Sequence, residues 1–189
     1  MGTNRLEAFS DGVIAVIITI MVLELKVPRD TTLTSLRSLA PQFLSYLLSF
    51  LVVAIMWVNH HHLIHAARRA DARLLWSNNI LLFWMSLVPF VTAYMGNNPR
   101  DPRAVALYGA VLALCSLSFV LLRSAIVRHH SDNPEAVSYH HRVQMKNTYS
   151  LLLYIASAPL AFVDVRVSLF IFVFVALSYF LPERKLAEG

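Results

Sequence analysis

The sequence predicts an all-α membrane protein with six transmembrane helices and no soluble domain, and three observations carry that reading. Of 189 residues, 57% are hydrophobic and only 14% charged, with a mean hydropathy of +0.58, whereas a soluble domain carries about a quarter charged residues. The apolar residues fall in long runs parted by short basic segments, and a run of roughly 20 crosses the ~30 Å hydrocarbon core as a helix. Three runs, 39–58, 74–96 and 104–122, hold no charged residue at all.

The first helix is expected over about 5–25 and ends at Lys26-Val-Pro28, since proline cannot continue it. The second, over 39–66, opens with Pro41, where the missing N–H costs nothing. The third, 71–96, stops at the turn Asn97-Asn-Pro-Arg-Asp-Pro102. The fourth, 103–128, carries the single cysteine, Cys115, so an internal disulfide is impossible. Helices over 143–163 and 165–181 are joined so tightly, through Asp164 to Arg166, that they must form a hairpin. The longest loop, 128–145, has about 18 residues, too few to bury a core. The first helix has acids at both ends and no small-residue cleavage site after it, so it is expected to stay in the mature chain. The whole of 1–189 therefore reads as one transmembrane domain.

The net charge of +5 is spread over both sides of the predicted topology. Six spans put both termini on one side, with ten Lys and Arg residues there against six opposite. That excess predicts cytoplasmic termini, and the membrane expected is the cell membrane. No folded basic face is visible, which argues against a nucleic-acid partner.

Inside the first helix stands an expensive group. Asp11 lies in 6–25, the only stretch long enough to be that span, and an acid at the centre of a bilayer costs about 2.5–3.5 kcal/mol on insertion scales. On a helical wheel Gly12, Val16, Thr19, Ile20 and Leu23 form one stripe, and Asp11 falls on nearly the opposite side. Lipid would not tolerate Glu7, Asp11 and Glu24 around the helix, so it is expected to be an inner helix enclosed by the others. All eight histidines fall on the cytoplasmic side: His60, His61, His62 and His65 at the end of helix two, and His129, His130, His140 and His141 in or near loop 128–145. His60 and His61 lie at the depth of Asp11, as do Asn78 and Asn79 in helix three. An Arg–Asp–His–Asn network at that level would satisfy the acid by pairing and hydrogen bonding.

Arg5-x3-Phe9-Ser10-Asp11, continued by Gly-Val-Ile-Ala-Val-Ile-Ile-Thr-Ile-Met-Val-Leu-Glu24, resembles the first helix of the transmembrane protein 175 family of potassium channels. Trp57-x2-His60-His61 and Pro89-Phe90 are similar to that family as well. The resemblance implies six-helix subunits assembled as homotetramers, permeable to potassium and other monovalent cations. It also implies an ion path lined by first helices, with a hydrophobic constriction in place of a carbonyl filter. This chain indeed has no Thr-Val-Gly-Tyr-Gly element. Carried over residue by residue, the constriction falls at Val16, with Ile20 and Leu23 as further layers and Thr19 as a polar ring. Those four lie on the stripe found from the wheel alone. Bulkier Ile or Leu is usual in the family where Val16 stands, so a shorter side chain widens that ring or leaves the seal to its neighbours. Arg5, Phe9, Ser10, Asp11, Trp57, His60, His61, Asn78 and Asn79 are then read as an anchor for helix one rather than as ion ligands, and Glu24 as an acid at the outer mouth.

Two other classes compete. Clustered histidines are a feature of membrane di-iron enzymes, and His61-x3-His65 fits one of their boxes. Neither His129-His130 nor His140-His141 has a histidine three residues before it, so no catalytic residue, metal or cofactor is expected beyond permeant potassium. A secondary cation or proton transporter is the stronger alternative. It would show inverted repeats and broken helices at the midplane, and the only interruptions here are Pro89 and Pro159, near predicted helix ends. The loop histidines would titrate near neutral pH and add positive charge on acidification.

Overall fold

The computed structural model describes residues 3–28, 30–67, 71–127 and 134–180, the last from 134 to 143 by backbone alone. Among the described residues every regular element is helical. In chain order these are α1 (Thr3–Leu23), α2 (Leu33–Ser38), α3 (Ala40–His65), α4 (Ala72–Ser86), α5 (Val88–Asn97), α6 (Pro102–Val127), α7 (Pro134–Leu160) and α8 (Val165–Ser178). Four stretches are long and apolar enough to cross a membrane: Thr3–Leu23, Ala40–His65, Ala72–Asn97 and Pro102–Ile126. Val165–Ser178 is equally apolar but shorter.

Local chemistry sets these boundaries. Thr32 caps α2 by accepting from the Ser35 amide at 3.3 Å, and Pro41 occupies the first turn of α3. Asp71 caps α4 at 2.8 Å through the Leu74 amide, and Asp164 caps α8 at 2.9 Å through that of Arg166. The third span is two helices rather than one. Pro89 has no N–H for the Met85 carbonyl and its ring crowds that carbonyl, so the path breaks at Leu87 between α4 and α5. Helix seven starts at Pro134, well before the expected residue 143. Its first half is polar and carries no apolar run, and a search by hydropathy therefore passes over it; Pro at the first helical position still favours the start. Most of the segment expected as a loop over 128–145 is thus helical.

α6 is the hub. It packs on α4, α5, α7 and α8, and 61% of its most apolar window is buried. Close approach depends on Gly109: a Cβ there would stand 2.5 Å from Ser157 Oγ and 3.2 Å from the Phe172 ring. Above it, Tyr108 of α6, Ser49 of α3 and Thr92 of α5 share a buried hydroxyl cluster, with Ser49 Oγ 2.9 Å from Tyr108 Oη and Thr92 donating to Ser49 at 2.7 Å. α1 differs. It rests on α3, α4 and α5 along one side, and only 28% of its apolar window is buried. The expectation that helix one is enclosed fails for a single chain, because among the described residues no element covers its other side.

Candidate functional site

The two faces of α1 have unlike chemistry. Leu6, Ser10, Ile14, Ile17 and Met21 recur every three or four residues and form its buried row. Gly12, Val16, Thr19, Ile20 and Leu23 lie about 140° around the helix from that row. They point away from the chain's own core, with Val16 55%, Ile20 42% and Leu23 79% exposed. A Cβ added at Gly12 would meet nothing within 4 Å, so nothing inside the chain requires glycine there. Thr19 Oγ1 donates to the Val16 carbonyl at 2.8 Å. Its proton is used within the helix, and its lone pairs remain on the outward face. Glu24 is exposed just past the C-terminal end of α1.

At the opposite end, α3 runs antiparallel to α1, and its last two turns meet the first turns of α1. Three separate polar contacts form there. Trp57 Nε1 donates to Asp11 Oδ1 at 2.9 Å. Glu7 Oε1 lies 2.9 Å from His61 Nδ1 and 3.1 Å from His65 Nδ1. The third contact is fully buried and directional. His60 Nε2 donates to Asn78 Oδ1 at 2.7 Å, Asn78 Nδ2 donates to Ser10 Oγ at 3.0 Å, and Ser10 Oγ donates to the Leu6 carbonyl at 2.8 Å. That relay fixes His60 as the Nε2–H tautomer. It ties α3, α4 and α1 together at one level, in a region where unpaired polar groups are costly.

Of the residues expected in one network, Ser10, Asp11, Trp57, His60, His61 and Asn78 stand at this junction. Arg5, Phe9 and Asn79 do not: all three are exposed and bond to none of it. The reason for Arg5 is geometric. Six positions separate it from Asp11, so the two point about 120° apart, and Arg5 shares the direction of Val16 and Leu23. Asp11 is satisfied by an indole N–H instead of a guanidinium. Glu7 and His65 were missed as junction residues, although the i, i+4 pairing of His61 with His65 was visible in the sequence. Their convergence with Glu7 requires two helices some 54 positions apart to meet, and no local pattern encodes it. His129 and His130 lie outside the described residues, as do the side chains of His140 and His141.

The comparisons bear on these faces. The profile of a family described as "Endosomal/lysosomal potassium channel TMEM175" matches residues 5–89, which take in nearly all of α1, the junction and the third span as far as Pro89. A potassium channel of Chryseobacterium sp. (strain P1-3) is 37% identical over 189 residues, covering 100% of this chain and 98% of that one. The crystal structure of a lysosomal potassium-selective channel TMEM175 homolog from Chamaesiphon minutus superposes with a TM-score of 0.83 at 31% identity, covering 95% of this chain and 96% of that one. The endosomal/lysosomal proton channel TMEM175 of Rattus norvegicus is 27% identical over 185 residues; the match takes in 95% of this chain but only 36% of that longer protein.

Proposed function

Because this chain belongs to the TMEM175 family of potassium channels, a family of multi-pass membrane proteins, we propose that it conducts potassium as a homotetramer whose four α1 helices line the path. The observation that carries the reading is the outward row of α1. Val16, Ile20 and Leu23 are apolar, exposed and aligned, while the row of Leu6, Ser10, Ile14, Ile17 and Met21 on the other side of the helix is held by its own chain. A lone protomer with one such row encloses nothing, but copies arranged about an axis turn the rows into stacked rings. Rings of branched apolar side chains exclude water when narrow, so they close the path by dewetting and open it on a small rotation of α1. Thr19 adds a ring of oxygen lone pairs between the Val16 and Leu23 layers, and the open space at Gly12 suits close approach of a second copy. The junction of Asp11, Trp57, Ser10, Asn78 and His60 acts as the pivot that holds α1 to its chain. The apolar second part of α7 and the run from 165 to 181 complete six spans, with both termini cytoplasmic in the cell membrane.

The test is ion flux from proteoliposomes. Wild-type protein should pass potassium faster than sodium, and Ile20→Asn or Leu23→Asn should raise leak and narrow that ratio. Unchanged currents for both variants would overturn the pore assignment. The rat relative is named a proton channel, which favours a second reading in which protons share the path. A pH-sensitive dye in the same vesicles separates the two, and saturable flux coupled to a pH gradient would point to a transporter.

A further inference from the structure

The junction contains one arrangement that holding α1 in place does not require. Glu7 enters from the second turn of α1, and His61 and His65 descend from α3 at i and i+4, hence on one helix face. A single carboxylate oxygen, Glu7 Oε1, receives both Nδ1 atoms, at 2.9 and 3.1 Å. The two imidazoles face one another with centroids 4.4 Å apart, and one potential ligand atom from each of the three side chains lies within 4.8 Å of the others. Two nitrogens and one oxygen converging on a point is the donor set of an open zinc-type site, in which three protein ligands at about 2.0–2.2 Å leave a fourth position to water. Ligand atoms around such an ion stand roughly 3.3 Å apart, so small side-chain shifts suffice. The exposures fit as well: the Glu7 side chain is 18% exposed, His61 41% and His65 60%, leaving an entry route on the histidine side.

We propose that Glu7, His61 and His65 bind a divalent transition metal of the zinc class, and that the bound ion clamps the N-terminal end of α1 to α3. Borderline nitrogen ligands select this class over the hard ions magnesium and calcium, which want six or more oxygens. Binding through Nδ1 needs the proton of each imidazole on Nε2. The clamp stiffens the helix whose outward row is proposed above to line the path. That consequence rests on the channel reading, whereas the metal site itself does not.

Titration calorimetry of the purified detergent-solubilised protein with zinc chloride tests the site, with magnesium chloride as the control. Glu7→Gln and His65→Gln should each lose one zinc equivalent per chain or weaken it at least tenfold, and zinc should cease to raise their unfolding temperature. His62→Gln, at the exposed neighbour, should behave as wild type. His65 is largely exposed, so its variant should fold, and metal-free melting checks this. Binding by Glu7→Gln and His65→Gln with wild-type stoichiometry and affinity overturns the site. Equal heats for magnesium and zinc overturn its chemical class. In proteoliposomes, zinc should change potassium flux severalfold for wild type and not for His65→Gln. Zinc binding without any change in wild-type flux overturns the clamp and leaves the site standing. Absence of flux in both proteins, with zinc binding to wild type intact, counts against the channel reading instead.

Discussion

α1 and α6 are both long, predominantly apolar helices, yet the chain uses them in opposite ways. α6 is mostly covered, with Tyr108, Leu112 and Leu122 fully buried, helices on several sides and only a strip through Leu107, Leu117 and Leu121 exposed. α1 keeps one row for its own chain and leaves the other uncovered, although both helices are apolar enough to cross a membrane. Apolarity alone therefore does not decide burial. What decides it is where small and polar residues interrupt the surface. On α6, Gly109 admits Ser157 and Phe172 at close range. On α1, Ser10 is spent inward on Asn78, while Gly12 and Thr19 are left facing out. A membrane chain lacks a hydrophobic drive between its helices, so such packing details set its architecture.

The sharpest way to break the contrast is to enlarge the two glycines. Gly109→Leu should be the most damaging change in the protein. Its side chain would enter space held by Ser157 Oγ and the Phe172 ring, and overpacking of this kind costs about 1–3 kcal/mol, with more where backbones must part. Loss of monodisperse protein on size exclusion, or a melting temperature lowered by several degrees, is expected. Gly12→Leu should leave the melting of the isolated chain nearly unchanged while reducing flux. Equal destabilisation by both would mean that α1 has no free face.

Removing Asn78 tests the inward row of α1. Asn78→Ala strands the His60 Nε2–H and takes a donor from Ser10, both fully buried. Leaving buried groups unpaired costs about 1–3 kcal/mol in water-based proteins, and hydrogen bonds between membrane helices average nearer 0.6, so a drop of about 1–2 kcal/mol is expected in detergent unfolding. Trp57→Phe should cost less, about 0.5–1 kcal/mol, because Asp11 is only half-buried and water can replace the indole N–H.

How far the sequence reveals all this depends on the range of the pattern involved. The stripe of α1 is legible because five residues repeat at helical spacing, and the break at Leu87 is foreshadowed by Pro89 alone. The partners of Asp11 are not legible in the same way. Reading Arg5-x3-Phe9-Ser10-Asp11 as a block hides that Arg5 and Asp11 leave the helix in different directions. α7 begins earlier than hydropathy indicates because its start rests on Pro134 and helix-forming polar residues, which hydropathy ignores. The meeting of Glu7 with His61 and His65 exists only once α1 and α3 lie antiparallel, and no window along the chain contains it.

The smallest change bears on the outward row and on Thr19. Thr19→Val keeps the shape and removes the hydroxyl. The lost bond is to its own helix, at Val16, and Val is about as acceptable there as Thr, so stability should move by no more than about 0.5 kcal/mol. Melting data alone would then call the position silent. Ion selectivity should not be silent if the row lines a path. With the hydroxyl proton committed to the Val16 carbonyl, Thr19 offers only oxygen lone pairs outward, and these favour a cation shedding water over one that keeps it. Replacing them by methyl groups makes one uninterrupted apolar stretch from Val16 to Leu23, longer and harder to wet. Potassium flux through Thr19→Val should therefore fall severalfold, and the potassium-to-sodium ratio should shift, at unchanged melting temperature. A variant that matches wild type in flux, ratio and melting would show Thr19 facing lipid, and the outward row of α1 would lose its one polar ring.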